Sequence, residues 1–102
     1  MLLPLESVTA IGIAATELVT NSYRHAFPDD EGTITVTLAR STDDSGATLS
    51  IRDNGVGFVP VSTPARRGLG IVRRLMKQID GMANVQSHGG TLWTLGFPVA
   101  TP

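Results

Sequence analysis

The sequence contains no cysteine, few aromatic residues and almost no net charge, and each shortage excludes a class of protein. Without cysteine, disulfides, thiolate metal sites and cysteine nucleophiles are impossible. Aromatic residues make up 5% of the chain, so its core must be mainly aliphatic. Lysine and arginine together number 8 and the formal net charge is −1. Nucleic-acid binding is therefore disfavoured as a main role, because it needs clustered cations.

Long apolar runs are also missing. A membrane-spanning helix needs about 20 consecutive apolar residues, and the sequence has no such run. The first residues, 1–4, are too short and uncharged for a signal peptide. We therefore expect a cytoplasmic location and no membrane contact by this domain. The length of 102 residues suits a single domain, which we expect over residues 1–102.

The pattern of apolar and polar residues predicts the order helix, two strands, loop, helix, two strands. Helical spacing extends over Ser7–Ala26, with Ser7 as N-cap, and over Gly68–Ile79, with Gly81 as a C-terminal stop. Alternation predicts strands over Thr33–Leu38, Thr48–Arg52, Val85–Ser87 and Thr91–Phe97. Strands joined by hairpins imply an antiparallel or mixed sheet. With both helices on one face, the predicted fold is α/β, a two-layer α/β sandwich.

Three polar residues repeat at every fourth position of the first predicted helix. At about 100° per residue, a step of four leaves an offset of only about 40°, so Glu17, Asn21 and His25 share one face. A solvated helix face is the simpler interpretation of this segment alone. Asparagine, however, is a poor helix former, and Arg24 adds a cation beside it. An asparagine oxygen suits Mg²⁺, with phosphates as further ligands.

An acid followed by a glycine-rich turn, Asp53–Phe58, ends the second predicted strand. An isolated Asp-Asn-Gly is usually only a turn. Its place at a strand end, followed by Gly57 and Phe58, favours ligand binding, because glycine lets a ligand approach the backbone closely. A buried aspartate without a cation is costly to leave unpaired. A purine amino group would satisfy it, with a water and the hydroxyl of Thr91 as further partners.

A second glycine-rich segment, Gly68-Leu69-Gly70, opens the second predicted helix. Helix N-termini present free N–H groups and partial positive charge, which suit phosphate oxygens. A glycine-rich helix start without any ligand is an equally good interpretation. The segment has no Gly-Lys-Ser or Gly-Lys-Thr, so it is not a P-loop, and its glycine spacing does not fit a Rossmann fingerprint.

Taken in chain order, these motifs resemble the ATP-binding boxes of the GHKL ATPase superfamily. The resemblance covers the N box, the G1 box, the G2 box and the closing hairpin, at Glu17–Asn21 with Arg24–Phe27, Asp53–Phe58, Gly68–Ile71, and Gly90-Thr91 with Phe97-Pro98. It extends over nearly the whole chain and implies the Bergerat ATP-binding fold with ATP and Mg²⁺ as ligands.

One branch of the superfamily is the most similar. The segment Leu3–Leu5, the ending His25–Pro28 and a short predicted lid over Val59–Arg67 resemble the catalytic domains of bacterial sensor histidine kinases related to the HWE group. The Trp-x-Glu feature of the HWE group is absent, so the resemblance places the chain beside that group.

The resemblance implies a role for each matched residue. Asn21 would coordinate Mg²⁺, and Asp53 would bind the adenine amino group with support from Thr91. Glu17 occupies the position of the water-activating base in the gyrase and MutL branches, which makes it a catalytic candidate beside Asn21. In a kinase its task would have to differ, since water must not be the acceptor. The remaining residues would face the phosphates (Arg24, His25), shape the adenine side (Gly55, Gly57, Phe58) or offer backbone N–H groups to the triphosphate (Gly68, Leu69, Gly70).

A sensor kinase also needs a dimerisation domain that carries the phosphoacceptor histidine, and a response regulator downstream. The chain has 2 histidines, and neither His25 in the N box nor His88 in a predicted hairpin suits an acceptor. We therefore expect an excised or separately encoded catalytic domain, acting on a histidine of a separate domain. The alternatives are an anti-sigma-factor-type serine kinase, a non-catalytic nucleotide-binding signalling module, and a gyrase-like ATP hydrolase.

Overall fold

The computed structural model describes residues 3–23, 32–41, 45–54, 65–87 and 90–99. Its elements follow the predicted order of helix, two strands, helix and two strands. They are α1 (Leu5–Asn21), β1 (Ile34–Arg40), β2 (Gly46–Asp53), α2 (Ala65–Gln78), β3 (Met82–Ser87) and β4 (Thr91–Pro98).

The strands form one four-stranded antiparallel sheet in the order β1-β2-β4-β3. Each half of the chain supplies one pair, β1 with β2 and β3 with β4, and the central β2–β4 pairing joins the halves. The helices pack against each other, with α1 over β2 and α2 over β3 and β4. This arrangement confirms the predicted two-layer α/β sandwich.

The exposure of three leucines in one row across the sheet shows where the helix layer ends. Leu38, Leu49 and Leu95 are partners on neighbouring strands, and their exposed fractions are 56%, 9% and 0%. Alternation of polar and apolar residues in Thr33–Leu38 predicts a strand with one buried face. The apolar residues do share the face of their buried partners on β2, but the predicted burial is wrong. Val36 is likewise 53% exposed, because the helices of the described chain lie over the other three strands.

The start of α1 differs from the prediction. The helix begins at Leu5, and the N–H of Val8 donates to the carbonyl oxygen of Pro4 at 3.1 Å. Proline suits this place, since its fixed φ and missing N–H do no harm before the first turn. Ser7 is therefore not the N-cap. It lies two residues inside the helix and is buried.

The second helix begins at Ala65, three residues before the predicted start. Alanine and arginine are strong helix formers, so the helix continues back through Ala65–Arg67. The prediction of an irregular lid is therefore wrong for these three residues. The rest of that lid, residues 59–64, lies outside the described residues.

A Schellman motif ends α2. The N–H of Gly81 donates to the carbonyl oxygen of Met76 at 2.7 Å, and that of Asp80 to Lys77 at 3.2 Å. The residue in the left-handed conformation is Asp80, with φ of 60°, so the predicted glycine stop is one position late. Gly81 is suited to its place for another reason: a Cβ there would collide with the carbonyl oxygen of Gly96.

Neither helix in the described part of the chain has the length and apolar character required to cross a bilayer.

Candidate functional site

Asp53 is the last residue of β2 and carries a carboxylate into the interface between sheet and helices. Burial alternates along the strand, so that Asp53 continues the inward-facing series formed by Ala47, Leu49 and Ile51. Only 3% of Asp53 is exposed. A carboxylate buried to this degree needs donors around it.

Ser22 and Thr91, which come from distant parts of the chain, both donate to this carboxylate. The Oγ of Ser22 donates to Oδ2 at 2.7 Å, and the backbone N–H of Thr91 donates to Oδ1 at 3.2 Å. Hydrogen bonds to an ionised group are among the stronger ones in proteins. Each carboxylate oxygen has two lone pairs and can therefore accept more than one hydrogen bond.

Thr91 is brought to Asp53 by the sheet register. The two residues are direct partners in the β2–β4 ladder, and Thr91 is also buried. The sequence predicted the hydroxyl of Thr91 as a partner of the acid. The hydrogen bond described here comes from its backbone N–H, which any residue except proline could supply.

Ser22 is the site residue that the sequence reasoning missed. It follows directly after α1, where its N–H bonds to the carbonyl oxygens of Leu18 and Val19, and only 8% of it is exposed. A signal was present, because Ser22 lies four residues after buried Leu18 and so falls on the buried stripe of the helix. A small polar residue on such a stripe must find an internal partner.

Asn21 ends α1 and is half-buried. Its Nδ2 is fully buried and, among the described residues, has no hydrogen-bond partner. An unsatisfied buried donor costs about 1–3 kcal/mol, so such a group points to a ligand. The amide of Asn21 can donate from its nitrogen to a phosphate oxygen. If the amide group rotates by half a turn about the Cβ–Cγ bond, it offers its oxygen to a cation instead. The position therefore fits both groups expected at the phosphate end of a nucleotide.

Asn54 has a structural role in the turn after Asp53. Its Oδ1 accepts a hydrogen bond from the N–H of Thr33 at 2.8 Å, and its own N–H donates to the carbonyl oxygen of Thr33 at 3.3 Å. This reciprocal pair ties the end of β2 to the start of β1. It fixes the backbone beside the buried acid.

Gly90 lies against the backbone of Asp53 at the start of β4. Its φ is +125°, and a Cβ at this position would collide with the carbonyl oxygen of Asp53. Only glycine combines that conformation with such a close approach. Gly90 therefore allows Thr91 to reach the carboxylate.

Gly90→Ala is expected to lower the free energy of unfolding by about 2 kcal/mol, through strain and the collision with Asp53. The matched control is Gly12→Ala in α1, where a Cβ meets nothing within 4 Å. Removing a helix glycine there should stabilise the chain by about 0.5–1 kcal/mol. Urea unfolding measures both. Equal stability of the two variants would contradict the role given to Gly90.

Four of the other predicted site residues lie within the described ranges. Glu17 is half-buried, one turn before Asn21, and also borders an open depression on the outer face of α1. Gly68, Leu69 and Gly70 lie inside α2 and not at its first residue. Only the first four N–H groups of a helix lack an internal partner, so Gly68 carries the last of these. The remaining predicted residues lie outside the described ranges: Arg24, His25, Gly55, Gly57 and Phe58.

Within the described ranges, no three histidine, aspartate or glutamate side chains gather as a metal-binding group. The predicted metal ligand in this region is the amide of Asn21. Its role towards Mg²⁺ stays a prediction.

Comparison with solved structures shows which proteins share this architecture. The histidine kinase domain of the Erythrobacter litoralis EL346 blue-light activated histidine kinase matches with a TM-score of 0.80 and 24% identity, over 94% of this chain and 46% of that chain. The Erythrobacter litoralis EL346 blue-light activated histidine kinase also matches with a TM-score of 0.82 and 26% identity, over 95% of this chain and 32% of that one. The chain thus spans less than half the length of either. Comparison with curated protein sequences gives no match.

A family model describes nearly the whole sequence. The model for "Histidine kinase-, DNA gyrase B-, and HSP90-like ATPase" matches residues 7–101, which include α1, the acid at the end of β2 and the closing hairpin. The sandwich and its buried acid agree with this assignment. The chain therefore belongs to the family of histidine kinase-, DNA gyrase B- and HSP90-like ATPases.

Proposed function

We propose that this chain is the ATP-binding catalytic domain of a two-component sensor histidine kinase, and that it transfers the γ-phosphoryl group of ATP to a histidine on a separate dimerisation domain. The observation that carries the proposal is buried Asp53, which Ser22 and Thr91 hold by hydrogen bonds. Asn21, the residue before Ser22, has a buried amide nitrogen without a hydrogen-bond partner among the described residues. The likeness to a histidine kinase domain supports this reaction over the others found in the family.

Asp53 would recognise the adenine ring. An ionised carboxylate offers only acceptors, which match the N6 amino group of adenine and oppose the O6 acceptor of guanine. The hydrogen bonds from Ser22 and Thr91 fix its direction before the nucleotide arrives. A fixed acceptor loses less entropy when it binds a ligand.

Asn21 would act at the phosphate end. Bound Mg²⁺ supplies charge neutralisation on the phosphate oxygens. Asn21 would hold that cation through its amide oxygen, with phosphates completing the ligand set. We further propose that Arg24, His25 and the segment Gly68–Gly70 contact the phosphates. The resemblance to the family's ATP-binding boxes is the support for these roles.

The acceptor is proposed to come from a partner domain. Phosphoryl transfer depends mainly on placing an acceptor in line with the γ-phosphate. We propose a dimerisation domain with a phosphoacceptor histidine, followed by a response regulator, in the cytoplasm where ATP is at hand. We also propose that the kinase to which this domain belongs is related to the HWE group of sensor histidine kinases.

The test is labelling with γ-labelled ATP. The chain alone is expected to bind ATP without becoming labelled on histidine. Addition of its cognate dimerisation domain should give acid-labile phosphate on that domain, slowly, because no tether raises the local concentration. Acid-stable phosphoserine on a protein partner would favour the anti-sigma-factor type of kinase instead. Strong acid-labile labelling of the chain alone would contradict the need for a separate acceptor.

A further inference from the structure

We propose that Ser22 is a positioning residue for adenine selectivity, acting through Asp53. The inference rests on the proposed function, since it concerns the nucleotide that Asp53 would recognise. Ser22 is not part of the sequence motifs described above. With it, the end of α1 would serve both the metal, through Asn21, and the adenine ring, through Ser22.

The geometry of the contact carries the inference. The Oγ of Ser22 lies 2.7 Å from Oδ2 of Asp53, although the two residues are 31 positions apart in sequence. They are 8% and 3% exposed, so water competes little for the hydroxyl proton. The backbone of Ser22 is itself fixed by bonds from its N–H to Leu18 and Val19. The donor is therefore anchored to the end of the helix.

Ser22 and Thr91 donate to different oxygens of Asp53, and together they hold the plane of its carboxylate. Ser22 holds Oδ2 from the helix layer, and the N–H of Thr91 holds Oδ1 from the sheet. With either donor removed, rotation about the Cβ–Cγ bond of Asp53 becomes easier, because terminal torsions of this kind are soft. Loss of the hydroxyl of Ser22 should therefore misdirect the lone pairs offered to the N6 amino group.

Neighbouring residues then serve opposite ends of the nucleotide. Asn21 and Ser22 differ by about 100° in direction around the helix, so one can face the phosphates while the other faces the acid at the sheet. The contribution of Ser22 should depend on the amino group of the base and not on the metal.

The experiment compares two nucleotides on the same variants. Ser22→Ala should weaken ATP about tenfold in calorimetric titration, the scale of one hydrogen bond to a charged group. Purine riboside triphosphate lacks the 6-amino group, so its affinity should change by less than about twofold. Equal loss for both nucleotides would mean a merely structural role and would overturn the inference.

A double-mutant cycle adds a second test. In an Asp53→Asn background, Ser22→Ala should cause less than about a twofold further loss of ATP affinity, because the two residues act as a unit. If the double variant lost ATP affinity by the product of the two single-variant losses, the residues would act independently and the proposal would be overturned. Ser22→Cys keeps a weak donor of similar size and provides a second variant should the alanine variant fold poorly. Its affinity for ATP should also fall by more than its affinity for purine riboside triphosphate.

The outcomes separate this inference from the proposed function. Wild-type ATP binding together with unchanged binding by Ser22→Ala would overturn the role of Ser22 alone. Absence of ATP binding by the wild-type chain would overturn the proposed function and this inference with it.

Discussion

Asn21→Ala is expected to lower phosphoryl transfer to the partner domain about a thousandfold, because the charge stabilisation given by a catalytic metal amounts to several kcal/mol. Affinity for ADP without Mg²⁺ should change by less than about threefold, since adenine recognition is assigned to Asp53. The change should not harm folding, because the buried Nδ2 has no hydrogen-bond partner within the described residues. Single-turnover labelling of the dimerisation domain and titration with ADP measure the two quantities.

The matched control is Thr16→Ala, on the outer face of the same helix. Thr16 is exposed, and its hydroxyl donates only to the carbonyl oxygen of Gly12, at 2.8 Å, among the hydrogen bonds described for it. This variant should keep both transfer and ADP affinity. A collapse of ADP affinity in Asn21→Ala with transfer preserved would show that Asn21 serves the base and not the metal.

Asp53→Asn should weaken ATP about ten- to a hundredfold, since a hydrogen bond to a charged group contributes about 1.5–3 kcal/mol. The asparagine side chain has the same shape, but it replaces one acceptor with an amino group. That group would oppose the N6 amino group of adenine or the hydroxyl proton of Ser22. Calorimetric titration with ATP and GTP measures both the loss and the base preference.

Asp80→Asn is the control for this prediction. Asp80 is exposed in the turn after α2, so the same chemical change there should leave ATP affinity within about twofold. Equal affinity of the wild-type chain for ATP and GTP would remove Asp53 as the base-selecting residue. So would an Asp53→Asn variant that binds ATP as well as the wild type does.

The order of elements and the position of Asp53 were predictable from the sequence, because both depend on local patterns. Alternation in Thr48–Arg52 placed the acid at the end of a strand, and β2 does end at Asp53. Helix boundaries were less accurate. The sequence predicts an N-cap at Ser7 and a helix start at Gly68, whereas the helices begin at Leu5 and Ala65. Proline and good helix formers upstream extend each helix.

The sequence by itself determined the two-layer sandwich, because side-chain periodicity shows which face of each helix or strand is apolar. It also placed the amide of Asn21 on the first helix and the carboxylate of Asp53 at the end of the second strand. Only the tertiary structure decided that Ser22 reaches Asp53 and that Thr91 donates to it through its backbone N–H. It also decided that Gly90 makes room for the contact and that β1 stays outside the helix layer. These features depend on packing between segments distant in sequence. No local propensity records such contacts.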